Sequence, residues 1–329
     1  MKSSRAKVLH EIAGRSLIAH VLHATSSLNP NQTRVVVGAS KDEVVTHLKS
    51  VAPRAIAVHQ EVRGGTGHAV KIALADYSGD GTVLVCAGDT PLLTGSTLSQ
   101  LLSAHKASGA VATVMTAEMP DPSGYGRVLK NSDGSLSRIV EEKDASPQEK
   151  QTLEINSGVY IFAVAELKLA LSKVSTSNAQ KEEYLTDVIA ILRGEGKKVA
   201  TFLIDDYTEA WGINDRAQLS TCASIFNARI CDALMKSGVT IVDPLSTWID
   251  LTAQIDIDVC LEPGTAIKGS TKIGASAVIG PRTTLVDCTV ASGARIFESH
   301  CESSTIGENS VVGPYSHLRS GTVLAGNVK

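Results

Sequence analysis

No stretch of this sequence supplies the roughly 18–20 consecutive apolar residues that a membrane-crossing helix requires, the longest candidates being short runs such as "TVLVCA" at 82–87. That excludes a helical span and predicts a soluble protein. An excess of either charge is also lacking: 31 basic side chains face 34 acidic ones, and the net charge of -3 argues against a nucleic-acid polyanion as partner. Six cysteines are present, at 86, 222, 231, 260, 288 and 301, but none falls in CxxC or Cys/His spacing. This excludes a disulfide framework and a zinc module, and predicts reduced thiols in a cytoplasmic protein. A P-loop and a GxGxxG fingerprint are both missing, so neither standard phosphate cradle is expected.

What is present is an alternation. At 329 residues the chain is long enough for more than one core. Short β-branched runs ("TRVVVGA" at 33–39, "AIAVHQ" at 55–60, "TVLVCAGD" at 82–89) alternate with helical patterns ("KDEVVTHLKS" at 41–50, "GHAVKIALADY" at 67–77). Such alternation predicts a largely parallel α/β sheet. Further strands are expected at "SGAVATVMTAEM", "GRVLK", "LSRIVEE", "SGVYIFA" and "KVATFLI", with helices over 182–196 and 215–236. The apolar spacing over 8–22 suits one face of a helix, and the basic start before the first acid at Glu11 has the charge of a transit peptide.

After Trp248 the long helical patterns give way to small residues, glycine and isolated aliphatics. Ile255, Leu261, Ile267, Ile273, Ile279 and Leu285 recur every six residues; the register slips, continues at Val290 and Ile296, and resumes at Ile306, Val312, Leu318 and Leu324. A six-residue period suits a coil with flat sides, each pointing one aliphatic inward, as in hexapeptide β-helices. The repeats run to the end without an atypical capping unit.

Several loops carry polar groups that a core does not need. Asp89 follows a wholly apolar strand at its carboxyl end, where ligands bind in open α/β sheets, although aspartate there also serves turns and caps. Gly64, Gly65, Thr66 and Gly67 lead from a strand into a helix, a geometry that lets backbone N–H groups approach an anion. Gly126, Glu141 and Asn156 offer a backbone amide, a carboxylate and a carboxamide, the set that an amide-bearing, hydroxyl-rich ligand such as an amino sugar requires. Tyr184 and Thr186 stand either in such a site or at a helix entrance.

Taken in order, "KVLH", "GGTGHAV", "AGDTPLL", "DPSGYGRVL", "IVEEKDA", "INSGVY", "YLTDVI" and "GINDRAQL", followed by hexapeptide repeats, resemble the bacterial bifunctional N-acetylglucosamine-1-phosphate uridyltransferase / glucosamine-1-phosphate acetyltransferases. The resemblance covers essentially the whole chain. It implies a Rossmann-like nucleotidyltransferase domain over 1–215, a linker helix over 216–240 and a partial left-handed β-helix over 241–329. It further implies that Asp89 and Asn214 hold Mg²⁺, that Lys7 neutralises phosphate, that Gln60, Gly65 and Thr66 hold the uracil, and that Gly126, Glu141, Asn156, Tyr184 and Thr186 line the N-acetylglucosamine pocket. UTP and N-acetylglucosamine 1-phosphate are then the partners, and a homotrimer the expected assembly. On this reading Lys7 is a phosphate-binding lysine, which displaces both the transit-peptide and the first-helix readings of the opening.

The sequence also departs from that pattern. A loop of the type L-A-A-G-x-G-T-R-M normally precedes the lysine and wraps the nucleotide phosphates; here Met1 falls on its last position, and Ala6 replaces the usual proline. Losing such a backbone anion nest predicts little uridyltransferase activity for the chain as written. Of the acetyl-CoA-dependent site only Arg319 is represented, followed by Ser320 in place of proline, so no acetyl transfer is expected. The alternatives are a non-catalytic nucleotidyltransferase-like subunit and a pyrophosphorylase for another sugar or base.

Overall fold

The computed structural model describes residues 1–38 and 41–329; Ala39, the last residue of the strand expected at 33–39, lies outside the described residues. The chain divides into two compact units, Met1–His10 with Leu17–Asn214, and Glu11–Ser16 with Asp215–Lys329.

The periodicity over 8–22 does not produce one helix. A 3-10 turn at Lys7–Leu9 is followed by a hairpin, β1 (Glu11–Ile12) and β2 (Arg15–Ser16), and helix α1 begins only at Leu17 (Leu17–Ser26). The reason is the pair between the strands: Ala13 and Gly14 both have positive φ (49° and 74°), the conformation of a two-residue hairpin turn. Leu9 and Ile18 still reach one apolar cluster, with Val37, Val44 and Leu48, and this shared burial created the helix-like spacing.

The rest of the first unit runs β3 (Arg34–Val37), α2 (Lys41–Val51), β4 (Ile56–His59), α3 (Thr66–Ala73), β5 (Thr82–Val85), α4 (Gly95–Ser108), β6 (Ala112–Glu118), β7 (Arg127–Lys130), β8 (Leu136–Val140), β9 (Glu154–Ala163), α5 (Val164–Leu171), α6 (Leu185–Gly194) and β10 (Val199–Leu203). Strands β3 and β4 pair in parallel as a separate two-stranded sheet. The larger sheet is mixed rather than largely parallel: β10 and β6 are parallel, but β5, β6 and β7 all run antiparallel to β9. The long β9 takes β6 along one edge, and on the other takes β5 near its end and β7 near its start, so local βα alternation does not set the direction of every pairing. Helices α5 and α6 bury Leu167, Val188 and Ile189 completely against this sheet with Phe162 of β9, which makes the sheet a rigid support for the loops at its strand ends.

The second unit holds the hairpin, helix α7 (Arg216–Lys236) and a stack of short parallel strands in three five-stranded sheets. Asp215 caps α7 by accepting the Gln218 N–H at 2.8 Å. The buried Asn227 of α7 donates to the Thr247 carbonyl at 2.7 Å and accepts from Ile249 N–H, which docks the helix on the first coil. Inward positions form three columns: Ile241, Leu261, Ile279, Ile296 and Val312; Ile249, Ile267, Leu285, Cys301 and Leu318; Ile255, Ile273, Val290, Ile306 and Leu324. All belong to one apolar core, and this architecture fits a left-handed β-helix of hexapeptide repeats. The sequence register slips because the steps Leu285 to Val290, Ile296 to Cys301 and Cys301 to Ile306 are five residues rather than six, and the fully buried Cys301 fills the inward position where the aliphatic pattern shows none.

Candidate active site

The apolar strand β5 ends at Val85, and the turn after it carries Asp89. Its position is fixed from two sides. The buried Ile213 donates its N–H to the Asp89 carbonyl at 3.0 Å, which brings Asn214 alongside. On the other side the 3-10 turn at Lys7–Leu9 is anchored by buried Leu9, and the backbone N–H of Ala6 donates to Glu43. The outcome is a convergence of three distant residues: Lys7 Nζ lies 2.5 Å from Asp89 Oδ2 and 3.1 Å from Asn214 Oδ1. An ammonium shared by a carboxylate and an amide oxygen is a geometric demonstration that these two oxygens can face one cation. Lys7 and Asp89 remain accessible, at 37% and 19% side-chain exposure, so a soluble anion or cation can reach them.

A second group is built on the glycine loop. Gln60 Nε2 donates to the Gly65 carbonyl at 3.2 Å and lies 3.0 Å from His68 Nδ1. Gly67 N–H donates to the Glu183 carbonyl, and Glu183 N–H to the Gly64 carbonyl, both at 2.7 Å. The loop is thereby laced to the segment before α6. Gly65 has φ +99°, and a Cβ there would stand 2.5 Å from the Glu183 carbonyl oxygen, so glycine is required by backbone approach as well as by conformation. The Thr66 hydroxyl accepts the Leu185 N–H at 3.0 Å, satisfying one of the open donors at the α6 N-terminus.

A third group gathers around Glu141. Thr186 Oγ1 donates to Glu141 Oε1 at 3.1 Å, and Glu141 Oε2 lies close to where a Cβ on Gly126 would stand. Asn156 N–H donates to the Gly126 carbonyl at 2.9 Å, while the Asn156 side chain donates to Tyr160 Oη at 2.6 Å and accepts from Gly158 N–H. Burial pushes the Glu141 carboxyl above its ordinary value; the Thr186 hydroxyl opposes this, and Asp144 and Asp187 add to it. Asp187 is raised likewise, first by burial and then by Asp144. Tyr184 is buried at the N-cap position of α6, and Thr186 lies in its first turn, so both stand at the helix entrance and beside the polar groups at once.

The three groups form one network. Tyr125, adjacent to Gly126, accepts the Gly212 N–H at 3.1 Å, linking the Glu141 group to the Asp89–Asn214 turn; Thr66 and Leu185 link it to the glycine loop. Asp144, Asp187 and Tyr125 were not singled out by sequence reasoning. All three lie inside quoted motifs, Tyr125 in "DPSGYGRVL", Asp144 in "IVEEKDA" three residues from Glu141, and Asp187 in "YLTDVI", but the approach of Asp187 to Glu141 depends on how the loops fold. Arg319 belongs to the second unit, where it is exposed just after the strand His317–Leu318, and its carbonyl accepts the Thr322 hydroxyl at 2.6 Å.

Comparison with known proteins now bears on this geometry. Residues 1–147 match the MobA-like NTP transferase domain. The bifunctional protein GlmU of Corynebacterium efficiens is 45% identical over 100% of this chain and 69% of its own length; that of Streptomyces avermitilis is 46% identical with the same coverage. GlmU of Paenarthrobacter aurescens is 46% identical over 98% of this chain and 66% of its own length. The chain belongs to the GlmU family. It spans about two thirds of the length of these relatives. Family and domain together make it a nucleotidyltransferase of the UDP-N-acetylglucosamine diphosphorylase kind, which serves cell-wall precursor synthesis.

Proposed function

We propose that the first unit transfers uridylyl from UTP to N-acetylglucosamine 1-phosphate, with Lys7, Asp89 and Asn214 at the phosphates, Gln60, Gly65 and Thr66 at the uracil, and Gly126, Glu141, Asn156, Tyr184 and Thr186 at the amino sugar. The observation that carries this reading is the meeting of Lys7, Asp89 and Asn214 within 3.1 Å from three separate parts of the chain. A non-catalytic assembly subunit has no physical need for a lysine, a carboxylate and an amide at one accessible point, and the family membership favours the enzyme.

The chemistry asks little of general acids or bases. The sugar phosphate is an anion at neutral pH, so its oxygen attacks the α-phosphorus of UTP directly; the new P–O bond forms as the bond to pyrophosphate breaks. What the protein supplies is position and charge. Lys7, held beside Asp89, offers its ammonium to phosphate oxygens, and a positive group fixed there lowers the barrier as charge shifts to the leaving group. Asp89 and Asn214 offer two hard oxygens, the donor type that suits Mg²⁺, whose remaining positions water and phosphate can fill. Bound there, Mg²⁺ would supply charge neutralisation between the two reacting phosphates. The buried Glu141 and the Asn156 carboxamide orient the sugar by hydrogen bonds to its hydroxyls and amide.

Pyrophosphate release from UTP and N-acetylglucosamine 1-phosphate tests the reading. Turnover by the wild-type chain, expected to be low, is expected to require Mg²⁺ and to fall roughly 10²–10³-fold further in kcat in Asp89→Asn and Lys7→Met. Wild-type turnover matched by both variants, or turnover indifferent to Mg²⁺, would overturn it.

We further propose that the β-helix assembles as a homotrimer, on the support of large apolar side chains standing on its outside, Leu245 at 91% and Ile257 at 61% exposure among them. The six free thiols suit the cytoplasm, and among the described residues no helix is long and apolar enough to cross a membrane.

A further inference from the structure

The outer face of the β-helix brings together three metal-binding side chains that lie too far apart in sequence to form a spacing motif. In a parallel ladder, residues in register on neighbouring strands stand about 4.8 Å apart, and residues two apart on one strand share a face. His300 and His317 are register partners on successive coils, and Glu302 is two residues beyond His300 on the same strand. Between His300 and Glu302, Cys301 points into the core and is fully buried, which holds its two neighbours outward. The consequence is that His300 Nε2 lies 2.7 Å from Glu302 Oε1, the two imidazoles meet edge to face at 5.4 Å between centroids, and one ligand atom from each of the three residues lies within 4.8 Å of the others.

We propose that His300, Glu302 and His317 form a site for a divalent transition-metal ion of the zinc class, clamping two successive coils of the β-helix. Two imidazole nitrogens and one carboxylate oxygen are a borderline donor set that selects zinc, copper or nickel over magnesium and calcium, which take oxygen ligands. Ligands of a tetrahedral zinc at bonds of about 2.0–2.1 Å are separated by roughly 3.3 Å. Side-chain rotation closes the remaining distance, because Glu302 and His317 are exposed and His300 half-buried. The contact of His300 with Glu302 accounts for only two of the three groups, and the second imidazole stands edge to face against the first. Three protein ligands leave a fourth position for water or an exogenous donor, so the site holds metal without enclosing it. The six cysteines do not compete: burial raises their thiols, Cys301 to about 12 and Cys222 to about 11, and they are dispersed among the described residues. Asp89 and Asn214 offer oxygen only, and this site is independent of the nucleotidyltransferase reading.

The test is calorimetric titration of the chelator-treated full chain with zinc chloride, beside a thermal melt with and without zinc. One zinc per chain is expected for wild type, weakened roughly 10²-fold in His317→Ala and in His300→Ala, each made separately. Zinc is also expected to raise the melting temperature of wild type and not of the variants, since an ion that binds only the folded coil stabilises it. Absence of zinc binding by wild type, or binding and a melting shift that survive in both variants, would overturn the proposal. Uridyltransferase activity without zinc is expected to be the same in all three proteins, which separates failure here from failure of the proposed reaction.

Discussion

Lys7 illustrates how much of the site's character resides in single charges. Its ammonium is shared by Asp89 and Asn214, an arrangement that offsets the carboxylate charge of the turn. Glu141 is the opposite case, a carboxyl whose burial works against its charge. Since its folded value is raised above the ordinary 4.5, the folded state holds its proton more tightly than the unfolded chain. Stability is therefore expected to fall as pH rises from the ordinary carboxylate range through the raised value. Glu141→Gln is expected to flatten that part of the pH–stability profile in urea unfolding, and to weaken N-acetylglucosamine 1-phosphate binding several-fold. An unchanged profile would contradict the burial argument. The resemblance pointed to Lys7, and both the resemblance and the strand-end position pointed to Asp89, the two residues that meet at 2.5 Å. The approach of Asp187 to Glu141 was not legible, because a Coulombic neighbour from a distant segment leaves no trace in sequence order, whereas Asp144 lies only three residues from Glu141.

At the scale of elements, the glycine loop and the β-helix show two ways in which sequence spacing relates to structure. The hexapeptide columns were readable directly, since each strand contributes one inward aliphatic; Cys301 escaped because a thiol in a core position does not look aliphatic. The helix-like spacing over 8–22, set aside by the resemblance, is broken for a local reason, the hairpin turn at Ala13 and Gly14, which periodicity alone does not register. The sheet directions failed for a non-local one: the antiparallel neighbours of β9 are set by long-range pairing. In the glycine loop, Gly65 appeared as a place for a ligand to approach, and the structure adds the closer partner, the Glu183 backbone. Gly65→Ala is expected to destabilise the first unit by about 1–3 kcal/mol through its positive φ and the close carbonyl, and to weaken UTP binding. A thermal melt and a nucleotide titration check both, and a wild-type melting temperature would contradict the packing argument.

For the whole molecule, two units of different construction divide the work. The mixed sheet and its loops carry the polar network from Lys7 to Glu141, whereas the β-helix presents ladders of outward side chains at fixed spacing. Light scattering of the full chain is expected to give three times the protomer mass; a monomer at working concentrations would contradict assembly through the coil faces. The central claim concerns the first unit, that Asp89 and Asn214 hold a hard cation together with the phosphates of a uridine sugar nucleotide. Calorimetric binding of UDP-N-acetylglucosamine, with and without Mg²⁺, tests it without requiring turnover. The account predicts that Mg²⁺ strengthens binding to wild type by roughly tenfold or more, and that the enhancement disappears in Asp89→Asn. Equal enhancement in both proteins, or tight binding to wild type indifferent to Mg²⁺, would contradict it.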